Sequence, residues 1–91
     1  MTAIQVRPAT LADLPVVAAL FDSYRQFYEQ PPALEAATRF IQARMENSES
    51  TILVAEDITA TATASGPLGF CQLYPSFCSV EAAPIYVLYD L

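Results

Sequence analysis

The 91 residues predict an α+β domain: an antiparallel meander flanked by two helices, in the order β-α-α-β-β-β. Three observations carry this reading. The chain opens on a short alternating segment, continues through two stretches of helical periodicity, and ends in three β-rich runs punctuated by proline, glycine and polar residues. Consecutive strands with short links pair antiparallel, and amphipathic helices bury their apolar stripes on the faces of such a sheet.

Ile4-Gln5-Val6-Arg7 alternates apolar and polar residues, as a half-buried strand does, and Pro8 ends it. Thr10 then offers an N-cap with Asp13 three residues on, a variant of the capping box. Leu14, Val17, Phe21, Tyr24 and Tyr28 follow at helical spacing, so a first helix is expected from about Leu11 to Glu29. Pro15 falls within its opening turns, where a missing N–H costs least. Gln30-Pro31-Pro32 breaks that helix. A second one places Leu34, Ala37, Ile41 and Met45 on one stripe and stops at Asn47-Ser48-Glu49-Ser50.

Thr51-Ile52-Leu53-Val54-Ala55-Glu56 is almost continuously apolar, the mark of a strand covered on both faces. From Ile58 to Gly66 the chain alternates Thr and Ala, which reads as a mobile hairpin connection. Pro67 to Tyr74 forms the third strand, closed by Pro75, with Gly69 marking a bulge or a close backbone approach. Ser76 to Ala83 turns into a last strand, Pro84-Ile85-Tyr86-Val87-Leu88-Tyr89-Asp90-Leu91, the most β-prone run in the chain. No turn or polar tail closes it. The expectation is that the domain continues past Leu91 or that another chain covers this edge, and that the isolated chain self-associates there.

Composition narrows the chemistry. With 54% hydrophobic residues the chain is not disordered, and no run reaches the roughly 18 apolar residues of a membrane span. No signal peptide is visible, so the default location is cytoplasmic. A net charge of −6, from ten acids against four arginines and no lysine, disfavours nucleic acid. It is permissive for a cationic amine, although it also serves solubility alone. The lack of histidine removes Ser-His and Cys-His nucleophile pairs and imidazole metal ligands; the lack of lysine removes a Schiff base. Cys71 and Cys78 match no zinc or redox spacing and read as free thiols.

The order of elements, together with Ile4 to Thr10 plus Asp13, Thr51 to Glu56, Pro67 to Phe70 and Tyr86 to Leu91, resembles the N-terminal half of the GNAT superfamily of acetyl-CoA-dependent N-acetyltransferases. Tyr24 to Gln30 with Gln72 to Phe77 is similar to a bacterial subgroup of that superfamily. The family's Arg/Gln-x-x-Gly-x-Gly/Ala turn, which presents N–H groups and a helix N-terminus to the cofactor pyrophosphate, would follow Leu91 by about ten residues. The resemblance therefore implies a single incomplete domain over residues 1–91, inactive alone, whose parent transfers acetyl from acetyl-CoA to the amine of a small molecule or peptide.

It further implies that a backbone N–H of the fourth strand, at Tyr89, Asp90 or Leu91, polarises the thioester carbonyl. Cofactor contacts are thus expected from the backbone of Asp90 and Leu91. Tyr89 and Asp90 become the candidate catalytic residues. Asp90, the one acid in the strand, is a base or substrate anchor, or else a structural partner for a turn or an arginine. Tyr86, Tyr89 and residues beyond compete as general acid. Period-two alternation groups Val87, Tyr89 and Leu91 apart from Tyr86, Leu88 and Asp90. Substrate selection falls by resemblance to Tyr24, Arg25, Tyr28, Tyr74 and Phe77. Tyr24 and Tyr28, four apart, share a helix face and either hold a cationic amine or pack on the sheet. Arg25 pairs with a substrate carboxylate or is merely solvated. The rival reading is a non-catalytic, small acidic interaction module that dimerises through its C-terminal strand.

Overall fold

The structure, a computed structural model, describes residues 3–59 and 66–91. Strand β1 (Ile4–Pro8) leads through a single 3-10 turn (Leu11–Asp13) into helix α1 (Leu14–Phe27). Helix α2 (Leu34–Glu46) and strands β2 (Thr51–Asp57), β3 (Gly69–Cys78) and β4 (Ala83–Asp90) follow. The strands form one antiparallel sheet in the order β1-β2-β3-β4, so the meander and its α+β class are as the sequence predicts. The hairpin connection expected at 58–66 lies, for residues 60–65, outside the described residues.

The first helix opens differently from expectation, and Pro15 explains why. An α-helix starting at Leu11 would need the Pro15 N–H to satisfy the Leu11 carbonyl, and proline has none. The chain instead makes a 3-10 turn in which the Leu14 N–H bonds the Leu11 carbonyl, and α-helix proper starts at Leu14 with Pro15 in its first turn. Asp13 still reaches back, accepting from the Thr10 N–H at 2.8 Å. Its carboxylate also takes two bonds from Arg7, at 2.8 and 2.9 Å, while Arg7 Nε donates to Glu56 at 2.8 Å. One guanidinium thus ties β1, the 3-10 turn and β2 together. Hydrogen bonding from Arg7 holds the Asp13 carboxyl well below its usual range, at about 2.

Both helices end the same way. The Gln30 N–H bonds the Arg25 carbonyl and the Glu29 N–H bonds that of Gln26; at the end of α2 Glu49 bonds Arg44 and Ser48 bonds Met45. This is the Schellman pattern, and it sets Glu29 (φ 66°) and Ser48 (φ 52°) in the left-handed region without glycine.

Val17 and Phe21 of α1, Ala37 and Ile41 of α2, and Ile52 and Val54 of β2 form one buried cluster. Since Ile52 and Val54 alternate with Leu53 and Ala55, both helices cover the same face of the sheet. This corrects the expectation that β2 is covered on both sides. Leu53 and Ala55 are only half-buried, and Val6, paired with Ala55, is 62% exposed, so the half-burial expected of β1 does not hold for its apolar residues.

Strand β3 also departs from its expected end. It runs through Pro75 to Cys78, because beyond Leu73 it has no β2 neighbour, and a strand with a free side tolerates the missing N–H. The turn to β4 is correspondingly short, closed by the Ala82 N–H on the Ser79 carbonyl. Gly69 has open space where a side chain would lie, so neither a bulge nor a close approach explains it. Cys71 and Cys78 are free thiols. Among the described residues no helix is long and apolar enough to cross a membrane.

Candidate active site

A bulge decides what β4 presents. Gln72 aligns with Asp90 but Leu73 with Leu88, so Tyr89 is an extra residue with no partner across β3. Simple alternation would leave Asp90 on the side of Tyr86 and Leu88. The inserted residue shifts it to the inner side beside Gln72, and Asp90 is 4% exposed. The grouping of β4 residues by strict period two is corrected accordingly.

Asp90 is held by a buried polar chain. The Ser50 hydroxyl donates to Gln72 Oε1 at 2.7 Å, and Gln72 Nε2 donates to Asp90 Oδ2 at 2.7 Å. Gln72 itself is wholly buried. Among the described residues neither a turn nor an arginine partners the acid; the Gln72 amide does. Burying a carboxylate is costly unless hydrogen bonds replace water, and Gln72 supplies one at close range.

Around Asp90 the helices and strands leave a cleft of about 360 Å³. Tyr24, Arg25 and Tyr28 reach it from α1 and its end, Tyr74 from β3, and Tyr89 and Asp90 from β4; Phe21, Phe40 and Gln30 complete the walls. The rings meet at angles: Tyr24 and Tyr28 centroids lie 5.1 Å apart, Tyr74 and Tyr89 5.5 Å apart, both near edge-to-face. The Tyr24 hydroxyl donates to the carbonyl oxygen of bulged Tyr89 at 3.3 Å, joining α1 to β4 across the cleft. Withdrawal from water, reinforced by the Asp90 carboxylate, pushes the Tyr24 hydroxyl up to about 12 and the Tyr74 hydroxyl upward as well. Both stay protonated at neutral pH, as proton donors rather than bases.

The α1–α2 connection, whose Gln30 lines the cleft, is fixed by Asp22. This buried carboxylate accepts from Gln26 Nε2 at 3.0 Å and from the Ala33 N–H at 2.9 Å, pinning the α1–α2 connection back on α1.

Of the residues the sequence singles out, Tyr24, Arg25, Tyr28, Tyr74, Tyr89 and Asp90 therefore share one cleft. Phe77, near the far end of β3 opposite Pro84, is 79% exposed and lies outside it. Tyr86 lies outside it too, opposite Pro75 and alternating with the inner positions. Leu91 borders a second, apolar groove of about 570 Å³, shared with Leu20, Tyr24, Leu53, Phe70 and Cys71. Gln72 and Ser50 were missed. The signal for Gln72 was its place two residues after Phe70, which makes it the polar member of an inward-facing pair.

No family model matches the chain. It is 44% identical over 89 residues to an uncharacterized N-acetyltransferase, YhfO, of Bacillus subtilis, a match covering 97% of this chain and 55% of that protein. It is 30% identical over 79 residues to a probable acetyltransferase of Haemophilus influenzae, covering 87% of this chain and 51% of that one. The crystal structure of a probable acetyltransferase superposes with a TM-score of 0.77 at 35% identity, over 96% of this chain and 56% of its own. A predicted acetyltransferase from Clostridium acetobutylicum, solved with acetyl-CoA, shares the fold alone, with a TM-score of 0.62 at 12% identity over 98% of this chain and 60% of its own.

The chain thus has an acetyltransferase fold. Its likeness to the GNAT N-acetyltransferases holds in both sequence and structure across nearly all its residues, and the chain spans about half the length of the relatives it matches.

Proposed function

We propose that the chain forms the acceptor side of an N-acetyltransferase that moves an acetyl group from acetyl-CoA to the amine of a small molecule or peptide by direct attack. The observation behind this reading is the cleft, where four tyrosines surround one buried carboxylate, Asp90. Aromatic faces and a carboxylate together suit an ammonium group. The acetyltransferase names of the relatives support the reaction class.

Acetyl-CoA, when bound, supplies the acetyl group already activated as a thioester. The bulge supports this reading: Tyr89 stands outside the pairing with β3, and a backbone N–H at Tyr89, Asp90 or Leu91 would polarise the acyl oxygen. Such a contribution is worth roughly 3 kcal/mol. Asp90, aimed by Gln72, anchors the ammonium and takes its proton, leaving a neutral nitrogen to attack. The Tyr24 or Tyr74 hydroxyl gives its proton to the leaving sulfur and regains one from the nitrogen, which turns cationic on attack and ends as the neutral amide, while Asp90 passes its proton to solvent. Binding of the cofactor and transfer require, on this reading, the further length that the relatives have, and the 91 residues alone are inactive.

The test is release of coenzyme A with a panel of amines, using a polypeptide that carries this chain and extends to the relatives' length. Asp90→Asn is expected to lower kcat/KM by about 10²-fold or more. Unchanged turnover in that variant, or no acetylation of any amine by the parent, overturns the assignment. A second reading draws on β4, whose Tyr86 and Leu88 are exposed on a strand that has one neighbour among the described residues: a non-catalytic acidic module that self-associates through that strand. Light scattering that finds a monomer at every concentration eliminates it.

A further inference from the structure

We propose that the acceptor amine also carries a carboxylate, which Arg25 binds; this rests on the acceptor-cleft reading above. Among the described residues, three of the four arginines are in ion pairs: Arg7 with Asp13 and Glu56, Arg39 with Glu35, Arg44 with Glu49. Arg25 has no side-chain partner among the described residues, although it is half-buried and the chain carries ten acids. A surface helix would ordinarily pair it with Glu29, four residues on. The backbone prevents this: α1 ends at Phe27 and Glu29 turns into the left-handed region, leaving the helix face that Arg25 occupies.

Arg25 instead lines the cleft that holds Tyr24, Tyr28, Tyr74 and Asp90. A cation and a carboxylate on the walls of one aromatic cleft complement a ligand with the reverse charges, an ammonium and an anion. The guanidinium fork matches a planar carboxylate with two parallel hydrogen bonds. A doubly charged phosphate meets stronger repulsion from Asp90, so the monoanion is favoured. The substrate class is therefore an amino carboxylate, free or at the end of a peptide.

The experiment is titration of the chain, followed by tyrosine fluorescence, with ω-aminocarboxylates of increasing length, their methyl esters and the corresponding aminoalkyl phosphonates. The acid is expected to bind at least ~10-fold more tightly than its ester. Arg25→Gln should reduce the acid to the affinity of the ester and leave the ester unchanged, with the far-UV circular dichroism and Tm of the parent. Arg25→Lys should recover only part of the difference, since an ammonium lacks the fork. Equal affinity for acid and ester in the parent, or tighter binding of the phosphonate, overturns the carboxylate assignment while leaving the amine site standing. Binding of neither acid nor ester overturns the acceptor-cleft reading itself.

Discussion

Replacing Gln72 with leucine removes both bonds of the buried chain while nearly conserving volume. Gln72 is wholly buried, and each of its contacts, to the Ser50 hydroxyl and to Asp90, measures 2.7 Å. A hydrogen bond to a charged group contributes ~1.5–3 kcal/mol and a neutral one ~0.5–1.5. Ser50 is half-buried and finds water again, so its loss is small; Asp90, at 4% exposure, does not. After the gain from a more apolar side chain, Gln72→Leu should cost about 2–3 kcal/mol, which lowers the Tm of a domain this size by roughly 10–20 °C. Urea unfolding followed by circular dichroism and tyrosine fluorescence measures it directly. The control is Gln72→Leu with Asp90→Leu. Removing both polar partners leaves no unpaired buried group, so the double variant should recover at least half of the loss. A single variant within about 0.5 kcal/mol of the parent, or losses that simply add, would refute a stabilising Gln72–Asp90 bond.

The Arg7–Asp13 contact makes stability depend on pH. Because the folded Asp13 carboxyl sits at about 2, below its unfolded value of 3.8, its contribution is complete above the unfolded value and disappears as pH falls through the folded one. Asp13→Asn should therefore flatten the acid-unfolding curve between these limits while being less stable than the parent at pH 7; parallel curves would exclude the linkage. At the end of α2, Ser48→Gly should stabilise the fold by ~0.5–1 kcal/mol by relieving the left-handed strain at φ 52°, visible as a Tm rise of a few degrees. A fall in Tm would show that Ser48 is not strained there.

Much of this fold was legible because its signals are local. The Thr10–Asp13 cap, the helical spacing from Leu14 to Tyr24 and the β-branched run of β2 each read directly from neighbouring residues. Non-local facts were not. Pro75 reads as a terminator until one knows that β3 loses its β2 neighbour after Leu73. The continuous apolar run of β2 implies cover on both faces, yet both helices pack on one. In the site, Tyr24 and Tyr28 were recognisable as one helix face, but the bulge at Tyr89 depends on how β3 and β4 align across the sheet. That bulge sends Asp90 inward to Gln72, and no local pattern in Tyr86 to Leu91 announces it. Phe77 illustrates the converse: an aromatic close to Tyr74 in sequence lies outside the cleft because the strand carries it past the pocket.

Calorimetric titration of acetyl-CoA in the presence of an acceptor amine addresses the central claim most directly. It should be run on the 91-residue chain and on a polypeptide extended to the length of its relatives. The account predicts that the longer form binds and then releases coenzyme A with acetylation of the amine, that Asp90→Asn in it binds acetyl-CoA but transfers slowly, and that the chain alone does neither. Absence of binding by both forms would contradict the account and leave the acetyltransferase fold here serving another purpose.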